Sequence, residues 1–167
     1  MDKIILAANW KMQGNRKLAS DMAKMLEQCK QARANLDIRI FPPNLLLSSI
    51  QEHFKHSPIQ WGAQNICHHE IGAFTGEIAA SMLPEFGCST VLIGHSERRQ
   101  HFKEGNSTLK QKLHYALQAK LSPIFCIGES ATEQQQGKTL ACLKAQLRPW
   151  LTAFQNNTPS KDILLAY

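Results

Sequence analysis

The sequence has no apolar run of about 18 residues, the length at which a helix crosses a bilayer, so we expect no membrane-spanning segment. Its first residues, Met1-Asp2-Lys3 before a short apolar run, lack the length and the small-residue cleavage site of a signal peptide. The 19 Lys and Arg residues form no basic stripe interleaved with aromatic residues, which argues against a nucleic-acid partner. These absences predict a soluble cytoplasmic protein, and the formal charge of +6 favours encounter with an anionic substrate.

The cysteines form no CxxC pair and no even-numbered framework, so we expect free thiols in a reducing compartment. They are Cys29, Cys67, Cys88, Cys126 and Cys142. The run Cys67-His68-His69-Glu70 contains metal-ligating residue types, but neighbouring side chains in an extended loop point apart. No second ligand pair stands at zinc spacing either. We therefore expect no metal site.

The chain also has no Gly-x-Gly-x-x-Gly after its first apolar run, which argues against a dinucleotide site. Instead, short apolar runs alternate six times with amphipathic stretches, a pattern that favours an α/β fold with a parallel sheet and right-handed crossovers. The predicted strands are 4–8, 36–41, 58–64, the run that ends at 93, 122–127 and 163–166. The predicted helices include 18–29, 45–54, 80–85, 107–119 and 139–154. Periodicity alone does not separate a barrel from a doubly wound sheet.

Two local features of these elements carry further expectations. The first strand is apolar on both faces, which predicts that it is covered on both sides of the sheet. Pro149 lies inside the last predicted helix and should kink or divide it, because proline removes a hydrogen bond and clashes with the preceding turn.

A histidine follows the fourth apolar run at once. Val91-Leu92-Ile93 ends at Gly94, and then come His95, Ser96 and the charged run Glu97-Arg98-Arg99. This pattern predicts a buried strand, a polar turn and a short helix that Ser96 is suited to cap. The positive potential at a helix N-terminus disfavours an imidazolium, so the His95 ring should be neutral and able to donate a hydrogen bond.

The first apolar run is followed by an amide and a cation, Asn9 and Lys11. A second polar stretch, residues 65–77, is longer than the two to six residues usual for α/β connections, and long loops of this kind are often functional. The carboxyl ends of parallel strands meet at one edge of a sheet, so these groups are candidates for one site.

With these stretches in view, the chain resembles the triosephosphate isomerase family from end to end. The matching motifs are Asn9-Trp10-Lys11-Met12, Ala63-Gln64-Asn65, Gly72-Ala73-Phe74-Thr75-Gly76-Glu77, Val91 to Arg99 and Cys126-Ile127-Gly128-Glu129. The resemblance implies an α/β fold of the TIM (β/α)8 barrel type. Such a barrel usually needs about 250 residues. We therefore expect residues 1–167 to form a single incomplete barrel domain with about the first six βα units.

The resemblance also implies a reaction and a set of roles. The reaction interconverts dihydroxyacetone phosphate and D-glyceraldehyde 3-phosphate through an enediolate, without a cofactor, in glycolysis and gluconeogenesis. Lys11 would offset phosphate and oxyanion charge, Asn9 and His95 would donate hydrogen bonds to substrate oxygens, and Glu97 would orient Lys11 and take part in proton transfer. The plainer alternatives are a solvated charge for Lys11, a structural role for His95, and a simple ion pair of Glu97 with Arg98 or Arg99.

By the same resemblance, the residues Gln64, Asn65, Thr75 and Glu77 belong to a dimer loop. In the family, the threonine at its tip reaches into the neighbouring subunit's site and supports the Asn and Lys there. We therefore expect a homodimer with Thr75 at the interface. An ordinary solvated loop tip is the alternative.

The family's general base is absent from these 167 residues. The sequence ends at Leu164-Leu165-Ala166-Tyr167, and an Ala-Tyr pair of this kind is followed in the family by the catalytic glutamate. Because a general base contributes typically 10²–10⁴-fold, we expect these residues alone to be inactive. The alternative is a truncated, non-catalytic chain that acts only as a structural or interaction module.

Overall fold

The structure of the protein is a computed structural model, which describes residues 4–32, 35–155 and 163–167. The chain divides into two compact units. The first unit contains Met1–Gln64 and Met82–Val91, and the second contains Asn65–Ser81 and Leu92–Tyr167.

The first unit alternates parallel strands with helices. Its elements are β1 (Ile4–Asn9), α1 (Arg16–Ala32), β2 (Leu36–Phe41), a 3₁₀ turn (Asn44–Leu46), α2 (Leu47–Phe54), β3 (Gln60–Ala63), most of a 3₁₀ segment (Ala80–Phe86) and the start of β4 (Thr90–Ile93). The β1–β2 register runs from Ile4 opposite Leu36 to Asn9 opposite Phe41. Because the strands are parallel, Asn9 and Phe41 mark the same end of the sheet.

The second unit continues the alternation. Its elements are the end of β4, α3 (Ser96–His101), α4 (Asn106–Gln118), β5 (Ser122–Cys126), α5 (Ala131–Gln135), α6 (Thr139–Gln155) and β6 (Leu164–Ala166). Strands β5 and β6 are parallel, with Cys126 opposite Ala166 at their carboxyl ends. The hydrogen-bonded strand order follows the chain, β1-β2-β3-β4-β5-β6. The expected alternation of six parallel strands with helices is confirmed.

Each unit has its own apolar core. In the first, Ile38, Ile40 and Phe41 of β2 are buried, as are Ile50 and Phe54 of α2. In the second, the fully buried side chains include Ile93, Leu109, Leu113 and Phe125. Full burial of one such side chain stabilises the fold by about 1.5–3 kcal/mol, so these clusters hold the strand ends in place.

Gly62 sets the spacing between β3 and β4. A Cβ atom at this position would lie 1.8 Å from the carbonyl oxygen of Thr90, the residue opposite it in the ladder. No side chain fits at that distance. The two strands can therefore pair only because position 62 is a glycine.

The expectation for β1 was wrong, and of the two alternatives given for Pro149, division of the helix was wrong while a kink stays a prediction. Strand β1 is not covered on both sides: Ile4 is 50 % exposed and Leu6 46 %. Among the described residues β1 has a hydrogen-bonded neighbour on one side only, because it stands at the end of the strand order. Pro149 does not divide α6, which runs without interruption from Thr139 to Gln155. Among the described residues, we find no helix with the length and apolarity needed to traverse a bilayer.

Candidate active site

The turn after β1 places Lys11 in a left-handed backbone conformation. Its φ is +55°, which a residue with a Cβ adopts at a cost in free energy. The Lys11 N–H donates to Asn9 Oδ1 at 2.9 Å, so the Asn9 side chain closes this turn. The Asn9 NH₂ group is then the part of the side chain that can donate to a ligand, and Lys11 itself is exposed.

The side chain of Gln64 holds the other side of the same turn. Its Nε2 donates to the Lys11 carbonyl oxygen at 2.8 Å and to the Phe41 carbonyl oxygen at 2.8 Å. Phe41 O also accepts the Trp10 N–H at 3.0 Å. Gln64 follows directly after β3, so one amide links the end of β2 to Lys11, the second residue after β1.

The turn after β4 places His95 at the start of a helix. Gly94 takes the left-handed conformation, with φ +73°, and His95 follows as the N-cap of α3 with φ −50° and ψ 143°. The His95 Nδ1 accepts the Glu97 N–H at 3.3 Å. A neutral ring that accepts at Nδ1 carries its proton on Nε2, which can then donate to a ligand. The expectation that Ser96 caps this helix was wrong, because Ser96 is its first residue and the histidine ring does the capping.

Glu97 lies beside the histidine. Its Oε2 is 3.5 Å from His95 Nδ1, a contact that is an ion pair only if the ring is protonated. The predicted partners Arg98 and Arg99 have other acceptors. Arg98 Nε donates to Glu104 Oε1 at 2.7 Å, and Arg99 donates to backbone carbonyls.

The side chain of Arg99 stabilises the turn before His95 through two hydrogen bonds to backbone carbonyls. Its Nε donates to the Gly94 carbonyl at 2.8 Å, and its Nη2 donates to the Cys126 carbonyl at 2.7 Å. The guanidinium also lies 5.7 Å from the centre of the Phe125 ring. Burial lowers the pKa of Arg99, while Cys126, Cys142 and Glu104 oppose that shift. One side chain therefore links the end of β5 to the glycine that precedes the histidine.

A buried charge network fastens the start of the long loop. Lys112 Nζ donates to Glu104 Oε1 and to Asn65 Oδ1, both at 2.6 Å, and Arg98 shares the same Glu104 oxygen. The side chains of Lys112 and Glu104 are only 3 % and 6 % exposed. Burial lowers the pKa of Lys112, although the hydrogen bond and charge of Glu104 oppose that shift. Asn65, expected at a dimer interface, thus has an intrachain partner as well.

Sequence reasoning missed this network, although one signal for it was available. Lys112 stands three residues after Leu109 and next to Leu113 on the buried stripe of α4. A cation on the apolar face of a helix must have a buried partner, because an unpaired buried charge is very costly. The partner itself could not be read from the stripe.

The loop that follows Asn65 presents an exposed tip. His69 stacks on Phe74 with ring centres 4.2 Å apart, and Cys67 N–H closes the loop by donating to the Ile78 carbonyl at 2.8 Å. Thr75 and Glu77 lie at the tip and are exposed. The predicted interface residues of the tip are therefore accessible to another molecule.

A further cluster lies at the ends of β5 and β6. Glu129 Oε1 accepts hydrogen bonds from Thr139 Oγ1 at 3.0 Å and from the Tyr167 hydroxyl at 3.2 Å. A hydrogen bond from its own backbone and those from Thr139 and Tyr167 lower the pKa of Glu129. Glu129 of the Cys126–Glu129 motif is thereby hydrogen-bonded to Tyr167, at the end of β6.

The predicted site residues thus form two local sets. Asn9, Lys11 and Gln64 are joined by hydrogen bonds in the first unit. His95 and Glu97 in the second unit are joined by the helix cap. Each set offers hydrogen-bond donors at the carboxyl end of a strand, the edge that carries active sites in barrel folds.

Comparison with known proteins gives one consistent answer. The family model described as triosephosphate isomerase matches residues 4–167. A triosephosphate isomerase of Lawsonia intracellularis is 46 % identical over 162 residues, which are 96 % of this chain and 63 % of that protein. One of Acidithiobacillus ferrooxidans is 37 % identical over 167 residues, 100 % of this chain and 65 % of that protein. The chain therefore spans less than two thirds of these relatives.

A solved structure agrees with the sequence comparisons. The crystal structure of triosephosphate isomerase from Bartonella henselae superposes with a TM-score of 0.86 and 31 % identity, covering 99 % of this chain and 67 % of that one. The six βα units therefore correspond to part of that barrel fold, as expected from the sequence.

Proposed function

The chain belongs to the triosephosphate isomerase family, and we propose that it binds a phosphorylated triose and stabilises the enediolate through which dihydroxyacetone phosphate and D-glyceraldehyde 3-phosphate interconvert. The observation that carries this proposal is the His95 cap. Because Nδ1 accepts the Glu97 N–H, a neutral ring has its proton on Nε2, where it can be donated to a substrate oxygen.

The reaction begins when a carboxylate removes a proton from the carbon next to the substrate carbonyl. Negative charge then grows on the carbonyl oxygen, and donors that are already in place stabilise it without reorganisation. His95 and Asn9 would donate to the substrate oxygens, and Lys11 would offset the charge of the phosphate and the enediolate. Glu97 would orient Lys11 and take part in proton transfer. No cofactor is needed, because the substrate gains and loses only protons.

The general base and the dimer are further parts of the proposal. The base would be the glutamate that follows an Ala-Tyr pair like Ala166-Tyr167 in the family, so the 167 residues alone, a single incomplete barrel domain, would be inactive. The exposed tip at Thr75 and Glu77, with Gln64 and Asn65 at the loop base, would contact a second copy. This homodimer would serve glycolysis and gluconeogenesis in the cytoplasm.

The test compares the 167-residue chain with the same chain joined to the C-terminal third of the Lawsonia intracellularis relative. We expect the joined chain to interconvert the two triose phosphates, with a rate at least about 100-fold above that of the 167 residues alone. In the joined chain, His95→Gln should lower kcat by about 10²-fold or more, because it removes a donor to the growing charge. Rates are measured by NMR of the substrate carbons.

The matched control is His101→Gln, which changes an exposed histidine at the other end of α3 and should leave kcat unchanged. A folded joined chain without isomerase activity would contradict the proposal. It would leave the non-catalytic interaction module as the better account.

A further inference from the structure

The backbone at Lys11 depends on groups outside its own turn. Its φ of +55° is a conformation that non-glycine residues leave readily unless neighbouring groups hold them. The Asn9 side chain holds the N–H side of the residue at 2.9 Å. On the carbonyl side, Gln64 Nε2 donates a hydrogen bond to the Lys11 carbonyl oxygen at 2.8 Å.

The amide of Gln64 suits this position. It has two N–H protons on one nitrogen, and they go to two carbonyls, those of Lys11 and Phe41, each at 2.8 Å. The two carbonyls belong to neighbouring chain segments, since Asn9 pairs with Phe41 at the end of the β1–β2 ladder. A glutamate of the same shape would have no proton to donate when ionised and would repel both oxygens.

We propose that Gln64 is a positioning residue that acts through Lys11. By holding the Lys11 carbonyl against the end of β2, it fixes the left-handed turn and thus the direction in which the Lys11 side chain leaves the backbone. This inference rests on the role proposed above for Lys11 in binding and catalysis, and it gives Gln64 a role distinct from that of a dimer contact.

The first experiment needs no turnover. In the 167-residue chain, NMR chemical shifts and the N–H to Hα coupling of Lys11 report whether its φ is positive, and hydrogen exchange reports the protection of its N–H. We expect Gln64→Glu to move the Lys11 signals away from left-handed values and to speed its exchange about tenfold or more. Gln64→Met, a neutral side chain without donors, should do the same; it provides the result if the glutamate variant fails to fold.

The matched control is Gln51→Glu. Gln51 is a glutamine of the same unit whose Nε2 makes one long hydrogen bond, 3.3 Å, to the Glu85 carbonyl. This variant should leave the Lys11 signals unchanged. Acidification of the Gln64→Glu variant should restore part of the wild-type signal, because a protonated carboxyl regains one donor.

The second experiment tests action through Lys11 in the joined chain. We expect Gln64→Glu to lower kcat/KM about tenfold or more, and to have no further effect when Lys11→Met is already present. Independent effects would instead multiply in the double variant. If the 167 residues do not fold alone, the NMR measurement is made in the joined chain.

Two outcomes would overturn the inference. One is an unchanged Lys11 conformation in folded Gln64→Glu and Gln64→Met variants, and the other is a full multiplicative effect in the double variant. Failure of the proposed function is a separate result, because a joined chain without isomerase activity would not alter the NMR outcome.

Discussion

The Lys11 turn in the first unit and the His95 turn in the second solve the same problem with different chemistry. In each, a parallel strand ends, the chain passes through one left-handed residue, and a candidate site residue follows or occupies that position. In each, one side chain donates two hydrogen bonds to carbonyls of neighbouring segments: Gln64 in the first unit and Arg99 in the second.

The difference lies in which residue takes the left-handed conformation. After β4 it is Gly94, so His95 has ordinary dihedral angles and is oriented by its own hydrogen bond to Glu97 N–H. After β1 it is the candidate site residue Lys11 itself, whose backbone geometry therefore depends on its neighbours. We infer that loss of the Gln64 hydrogen bonds in the first unit mainly disturbs the geometry of the candidate site. Loss of the Arg99 hydrogen bonds in the second unit mainly lowers the stability of the fold.

The largest expected effect on the free energy of unfolding comes from replacing Arg99, the charged donor of the second unit. Arg99→Met removes two hydrogen bonds from an ionised donor, each worth about 1.5–3 kcal/mol, and should lower the free energy of unfolding by about 3–6 kcal/mol. Gln64→Met removes two neutral hydrogen bonds at about 1 kcal/mol each and should cost about 2 kcal/mol. Urea unfolding measures both, and equal losses would erase the distinction between the two turns.

A smaller effect is expected at the left-handed positions themselves. Gly94→Ala should destabilise the protein by about 1–2 kcal/mol, the cost of a left-handed residue with a Cβ. The added atom would also lie 3.0 Å from Arg99 Nη2 and 3.1 Å from a Leu109 methyl. Lys11→Gly should have the opposite sign, a gain below about 1 kcal/mol, because relief of strain is partly offset by the entropy of an unfolded glycine. Thermal unfolding distinguishes these signs, and a loss in both variants would contradict this account.

The smallest effect at neutral pH comes from one thiol in each unit, the buried Cys88 and the half-buried Cys126, because both affect stability only at alkaline pH. Burial raises the pKa of Cys88 to about 12 and that of Cys126 to about 11, where the charge of Arg99 opposes the shift. Since the folded pKa values lie above the ordinary 9.0, the stability that each neutral thiol supports is fully present below pH 9 and is lost as pH rises through the folded pKa.

The measurement is the free energy of unfolding against pH from 8 to about 12. Cys88→Ala and Cys126→Ala should each flatten the decline above pH 9 by up to about 1.4 kcal/mol per pH unit. The loss from Cys88 should continue to higher pH than that from Cys126. Unchanged slopes in both variants would show that these thiols do not stay buried and neutral.

The elements of the fold were predictable because their signals are local. Apolar runs ended by Gly94 or by Pro42 and Pro43 mark strand ends within a few residues, and the start of α3 beside His95 follows from the same local pattern. The exposure of β1 does not follow from its own apolar residues, because it depends on which strands stand beside it.

The long-range hydrogen bonds of the candidate site could not be predicted from the sequence for the same reason. Gln64 bonds to a carbonyl 53 residues away, and Lys112 bonds to Asn65 47 residues away. Such contacts exist only once strand register and helix packing are fixed, and several polar residues of the chain could have made them. The prediction that Ser96 caps α3 was wrong for a different reason. Serine is the better capping residue by type, but the turn at Gly94 starts the helix one position earlier, so His95 occupies the N-cap.

The close approach at Gly62 has a consequence for how this sequence can vary. Every other amino acid carries a Cβ, which would meet the Thr90 carbonyl oxygen at 1.8 Å, so every amino-acid substitution at this position should disturb folding. Gly105 is the counter-example, since a Cβ there meets nothing within 4 Å and its φ is −89°. In a saturation library selected for folded protein, position 62 should retain glycine alone, while position 105 should accept most side chains.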